Sequence, residues 1–216
     1  MKVRVGVIGT GAIAKYRHLP EYASREDVEI VALCDILENK AVKAAKRFGV
    51  DENKVYTDYK EMLAKEKLDA VSVCLPNYLH AEVTIFALNQ GLHVLVEKPM
   101  ATSVKEADAM ISAAKKNNKV LMVGQNQRLA PLHVLAKKII DSGMLGKVYT
   151  FRTVFGHAGP EHWSPSGSWF FDKQKAFAGS LADLGVHKID LVQFILDDIE
   201  EVACFSAILE KKDCTV

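Results

Sequence analysis

The 216 residues carry 28 Lys and Arg against 27 Asp and Glu, for a formal net charge of +1, and 49% are apolar. That balance gives no electrostatic case for nucleic acid or an anionic membrane, and the length admits one large domain or one and a half ordinary ones. No apolar run approaches a membrane span, and the N-terminus opens on a strand-like segment rather than a signal peptide. The four cysteines are scattered without CxxC spacing, so reduced, buried thiols in a cytoplasmic protein are expected rather than disulfides or zinc.

In chain order, residues 3–8 form a short run rich in β-branched side chains and lead directly into GTGAIA at 9–14. A glycine string alone is a weak signal. Here a helical pattern follows it, and a second strand at 28–34 closes on Asp35, which together read as a dinucleotide site. Gly9 allows the tight turn, Gly11 lets backbone N–H groups approach a pyrophosphate at the helix N-terminus, and Ala12 and Ile13 open that helix. Asp35 falls where a carboxylate would accept from the adenosine ribose hydroxyls. It repels a 2′-phosphate, and Ile36 and Leu37 offer no arginine, so NAD is expected and NADP disfavoured.

A helix at 37–48 ends at Gly49, a short strand at 55–56 precedes a helix from 57 to about 65, and 70–75 is a buried strand stopping at Pro76 and Asn77. Asn77 is placed either to cap the helix at 79–89 or to meet the cofactor on the strand-end rim; His80, on that helix's first turn, reads as structural. The next strand, LHVLVEKP at 92–99, ends in Glu97, Lys98 and Pro99. Proline cannot continue a ladder, so Lys98 is pinned at the carboxyl end of a buried strand, where open α/β sheets hold their ligands. Ser103 and Glu106 are spaced as a capping box, and a sixth strand follows at 120–123. Alternating strand and helix from residue 3 to about 123 predict a parallel, doubly wound sheet. The polar stretch that follows, including Asn126 at a strand end, marks a boundary between domains at 1–125 and 126–216.

Beyond it, a helix is expected over 131–142 and strands over 147–155 and 200–209, the makings of an incomplete α+β domain with a mainly antiparallel sheet. The segment 156–175, rich in Gly, Pro, Ser and aromatics, reads as a functional loop in which Trp163 and Trp169 either stack on a substrate or pack the loop. Residues 179–196 have helical spacing, with Asp183 and His187 four apart on one face and outside the stripe of Leu181, Leu184, Ile189 and Leu191. No tight spacing supports a metal among His157, His162 and His187.

Taken together, GTGAIA, Asp35, PNYLH at 76–80, GLHVLVEKPM at 91–100 and GSLADLGVHKIDL at 179–191 resemble, in order and spacing, the glucose–fructose oxidoreductase and inositol dehydrogenase family (Gfo/Idh/MocA). The pairing of EKP with DxGxH is the specific part. The resemblance implies a Rossmann domain followed by a mostly antiparallel α/β domain, with Lys98, Asp183 and His187 as the catalytic group and Gly9, Gly11, Ala12, Ile13, Asp35, Asn77, Glu97 and Asn126 toward the cofactor. It implies a sugar, inositol or related polyol as substrate and a homo-oligomer assembled through the C-terminal sheet. Hydride removal from a carbinol carbon needs a base for the hydroxyl proton, the role implied for His187, while Lys98 steadies the oxygen and Asp183 orients. An NAD-requiring glycosidase and a non-catalytic NAD-binding regulator are the alternatives. Family members often carry Trp-Arg where this chain has Trp169-Phe170, and they are usually considerably longer, so a C-terminally truncated chain is expected.

Overall fold

A computed structural model describes residues 1–162, 164 and 168–207. Contacts divide the chain into two compact units, Met1–Gly124 and Gln125–Val216.

The first unit is built on six parallel strands: β1 (Val3–Ile8), β2 (Val28–Cys34), β3 (Val55–Tyr56), β4 (Ala70–Val73), β5 (His93–Val96) and β6 (Leu121–Val123). Their order across the sheet is β3-β2-β1-β4-β5-β6. This is the doubly wound arrangement, with its switch point between β1 and β4. The central strands are buried on both sides, and their side chains alternate between two cores. Val5, Val7 and Leu33 join Leu19, Ala41 and Ala45 from α1 (Leu19–Ala23) and α2 (Glu38–Phe48) on one side. Ile8, Ala32, Val71, Val73, Val94 and Val96 meet Met62, Val83, Leu88 and Met110 on the other. These come from α3 (Tyr59–Lys65), α4 (His80–Asn89) and α5 (Val104–Lys116). A fully buried aliphatic side chain contributes about 1.5–3 kcal/mol, so these two layers hold the sheet rigid beneath its loops.

Helix ends follow local chemistry. Gly49 closes α2 in the left-handed conformation, with φ 73°. Asp58 caps α3 by accepting from the Lys60 N–H, and Ser103 caps α5 by accepting from the Glu106 N–H at 3.2 Å. The reciprocal half of that box goes one residue early: the Glu106 carboxylate accepts from Thr102 N–H at 2.9 Å and from its hydroxyl at 2.7 Å.

In the second unit α6 (Pro131–Asp141) packs on α8 (Val186–Ile195), and the short α7 (Lys173–Ala176) precedes it. Here the sequence expectation needs correction. No strand forms among the described residues of this unit, either at 147–155 or at 200–207, so the expected antiparallel sheet is not formed there; 208–209 lie outside the described residues. A strand exists through its ladder partner, and the apolar side chains of these segments, Val154, Val202 and Phe205 among them, remain exposed.

A second correction concerns 181–195. Leu181–Gly185 is a π-turn, in which the Val186 N–H reaches back to the Leu181 carbonyl, and only from Val186 is the helix α. One extra residue turns the faces by about 100°. The buried face therefore carries Ala182, His187, Asp190, Leu191 and Ile195, while Leu181 and Ile189 are exposed.

Among the described residues no helix is long and apolar enough to cross a membrane.

Candidate cofactor and active site

Every expected site residue of the first unit lies on the carboxyl rim of the sheet. Gly9 ends β1 with φ 91°, its N–H donating to the Cys34 carbonyl at 2.7 Å. A β-carbon there would lie 2.2 Å from the Cys74 carbonyl oxygen, so only glycine lets β1 and β4 close on one another at the switch point. At Gly11 a β-carbon would meet nothing within 4 Å. The Gly11 carbonyl accepts from the Lys15 N–H at 3.0 Å, so the helix over 12–23 starts with Ala12 and Ile13 directly after this open space. The N–H groups of a first turn have no acceptor within their own helix and favour an anion.

Asp35, at the end of β2, is locked onto this turn. Its Oδ2 accepts from the Thr10 N–H at 2.8 Å and the Thr10 hydroxyl at 2.9 Å, and its Oδ1 accepts from the Leu37 N–H at 2.9 Å. A carboxylate oxygen has two lone-pair sites, so Oδ1 keeps one for a ribose hydroxyl. Ile36 beside it is exposed and carries no charge. Open space at Gly11, a helix start and an oriented carboxylate fit a dinucleotide with a free 2′-hydroxyl.

Asn77 is buried as the first residue of the short helical turn Asn77–Leu79 after β4. His80 behind it is fully buried. Its Nδ1 lies 2.7 Å from the Pro99 carbonyl and its Nε2 2.8 Å from the Leu75 carbonyl, spanning the β4 and β5 exits. Burial lowers its pKa and the two carbonyls oppose that shift. Lys98 follows β5, half-buried, with its N–H donating to the Glu97 carboxylate at 3.2 Å.

Glu97 itself points inward. His18 Nε2 lies 2.8 Å from Glu97 Oε1, His18 Nδ1 lies 3.2 Å from Ser72 Oγ, and Ser72 Oγ lies 2.5 Å from the Tyr22 hydroxyl. His18 ends a π-turn, Ala14–His18, inside the helix that leaves the glycine turn. Burial, the largest influence, raises the Tyr22 pKa and keeps the phenol protonated. Cys74 is driven higher by burial and by the Glu97 charge, so its thiol is inert.

In the second unit Asp183 sits mid-way in the π-turn and His187 at the second position of α8, its ring 6.0 Å from that of Phe155. Asn126 opens the turn Asn126–Leu129 and is exposed. That turn is fastened to α8 by Arg128, whose guanidinium donates to both oxygens of Asp190 at 2.6 Å and is itself held charged by that hydrogen bond. Lys188 donates to Gln127 Oε1 at 3.1 Å and lies over the Phe155 ring at 4.9 Å. Trp169 stacks on Phe170, with centroids 3.9 Å apart. Trp163 lies outside the described residues, and no cluster suited to a metal occurs among the described residues.

Thus the structure brings Gly9, Gly11, Ala12, Ile13, Asp35, Asn77, Glu97 and Lys98 to one rim, and sets Asn126, Asp183 and His187 in the second unit. Sequence reasoning missed His18, Ser72, Thr10 and the Arg128–Asp190 pair. A polar residue inside the strand 70–73 was the one available hint.

Residues 3–125 match the oxidoreductase family with an NAD-binding Rossmann fold, and residues 133–215 match the GFO/IDH/MocA C-terminal domain. This chain belongs to the Gfo/Idh/MocA family. A D-glucoside 3-dehydrogenase of Escherichia coli (strain K12) is 34% identical over 195 residues, which are 90% of this chain and 54% of the relative. Among solved structures, the WlbA dehydrogenase from Bordetella pertussis in complex with NADH and UDP-GlcNAcA aligns with a TM-score of 0.85 at 26% identity, covering 98% of this chain and 60% of that one. A 3-ketoreductase from Actinomadura kijaniata, in complex with NADP and TDP-benzene, aligns at 0.82 with 30% identity over 91% of this chain and 58% of its own. The chain spans about half the length of the curated relatives it matches. Its first unit is the family's NAD-binding Rossmann domain.

Proposed function

We propose that this protein is an NAD-dependent oxidoreductase that transfers hydride between a carbinol carbon of a sugar, inositol or related polyol and the nicotinamide. The observation that carries the reading is Lys98, half-buried on the same carboxyl rim as the glycine turn and Asp35. Relatives named as glucoside and inositol dehydrogenases support the substrate class. The bound dinucleotide supplies the hydride acceptor. Gly9, Gly11, Ala12 and Ile13 receive its phosphates, Asp35 its ribose, and Asn77 and Asn126 flank its path, while the Glu97 side chain is turned inward onto His18.

The chain's own residues handle the proton and the charge. His187 takes the hydroxyl proton, a task for which an imidazole near neutral pH is suited and worth about 10²–10⁴-fold in rate. The Lys98 ammonium holds the same oxygen and stabilises negative charge as it develops there. Asp183 orients the imidazole or a neighbouring hydroxyl. Exposed apolar side chains on the second unit, Leu132 and Tyr149 among them, support assembly into a homo-oligomer. Free, buried Cys34 and Cys74 support a cytoplasmic location.

The test is a panel of sugars and polyols incubated with NAD and protein while cofactor reduction is followed. Reduction with at least one polyol, lost in Lys98→Met, is expected. Cleavage of a glycoside without net reduction overturns the assignment.

A further inference from the structure

We propose that His18 and Glu97 are positioning residues for Lys98. The proposal rests on the reading that Lys98 stands at the reaction centre, and it names what holds it there. A carboxylate only accepts, so the hydrogen between His18 and Glu97 belongs to His18 Nε2. His18 Nδ1 lies 3.2 Å from Ser72 Oγ, which lies 2.5 Å from the Tyr22 hydroxyl, so one polar chain joins Tyr22, Ser72 and His18 to Glu97. The other Glu97 oxygen, Oε2, accepts from the Lys98 backbone N–H at 3.2 Å.

Two further observations show that this carboxylate is built in. His18, Ser72 and Glu97 are all buried, Ser72 completely. And Gly124, at the end of β6, leaves room for it: a β-carbon there would come within 3.1 Å of Glu97 Oε1. Tyr22 and His18 ride on the helix that starts at the glycine turn, so that helix also anchors the carboxylate that holds the Lys98 backbone.

The experiment compares wild type with Glu97→Gln, His18→Leu, His18→Gln and Gly124→Ala by hydrogen exchange at the Lys98 amide, NADH titration and, with the substrate found above, kcat and KM. Glu97→Gln sets an amide donor against a donor, and His18→Leu removes the hydrogen bond. Both should speed Lys98 amide exchange at least about tenfold while β1 and β2 amides stay protected. Both should lower kcat by about a hundredfold, the cost of a misplacement near 1 Å, with KM and NADH affinity within a few-fold. His18→Gln keeps an N–H for Glu97 and should recover part of the loss. Gly124→Ala retains every hydrogen-bonding group and should move in the same direction by less, which separates positioning from general unfolding. A Lys98 amide that exchanges equally fast in wild type and Glu97→Gln overturns the proposal. Turnover that depends on Lys98 but survives Glu97→Gln and His18→Leu overturns it too, leaving the function intact. Turnover that survives Lys98→Met removes the reading and the proposal together.

Discussion

Two glycines in one turn should fail in opposite ways when given a methyl group. At Gly9 the backbone has φ 91°, and the new β-carbon would sit 2.2 Å from the Cys74 carbonyl oxygen and 2.8 Å from its carbon. Forcing an L residue into that conformation costs about 1–2 kcal/mol. Opening the packed seam between β1 and β4, where the Cys74 N–H donates to the Ile8 carbonyl at 2.7 Å, adds about 1–3 kcal/mol. Gly9→Ala should therefore lose about 2–5 kcal/mol and melt roughly 4–20 °C lower. Gly11→Ala meets nothing within 4 Å, so its stability should stay within about 0.5 kcal/mol of wild type. Its methyl occupies the space a pyrophosphate needs, and NADH affinity should fall at least about tenfold, or roughly 1.4 kcal/mol. Thermal unfolding and NADH fluorescence titration measure both quantities in both variants. A Gly9→Ala protein melting with wild type, or a Gly11→Ala protein binding NADH within twofold, would refute this division of labour.

Asp35→Ser removes a charged acceptor and should weaken NADH binding by about ten- to a hundredfold while narrowing the gap to NADPH, read by parallel titrations; equal binding of NADH and NADPH by wild type would sink the selectivity argument. His187→Ala should cut kcat by about 10²–10⁴ with NADH affinity nearly unchanged, and near-wild-type turnover across pH would remove it as the base. For His80, burial places the folded pKa below 6.5, so the folded state holds fewer protons than the unfolded one as acid is added. Its contribution to stability is complete above pH 6.5 and declines below it, and melts of wild type and His80→Gln from pH 7.5 to 5 should converge; a His80 imidazole titrating above 6.5 by NMR would reverse the sign.

The first unit was legible because its strands are short runs rich in Val, Ile, Leu and Ala, and because a parallel sheet buries both faces of its central strands. Gly9, Asp35 and Lys98 could be placed from sequence alone, since all three are strand-end residues. His18 could not. Its meaning depends on Glu97, 79 positions away, and a histidine two residues ahead of a proline looks like any exposed helix residue. Thr10 was hidden for the same reason, being defined by its bonds to Asp35 rather than by its place between glycines. In the second unit, alternation at 147–155 marked β-capable residues but could not supply ladder partners. A π-turn leaves no mark in the hydrophobic spacing used to assign faces to Asp183 and His187.

The strand order also dictates how the molecule must assemble. β1 pairs with β2 in the chain's first third, yet its other edge waits for β4, whose entry is marked by Asp69 accepting from the Arg4 N–H at 2.8 Å and from its guanidinium, 65 residues along. Long-range parallel pairing forms slowly because the loop entropy is lost before the contacts are gained. The crevice at the β1–β4 seam thus comes into being only when the β1-β2-β3 half and the β4-β5-β6 half of the sheet join. Kinetically it belongs to a late step, and a ligand bridging that seam would slow unfolding rather than speed folding.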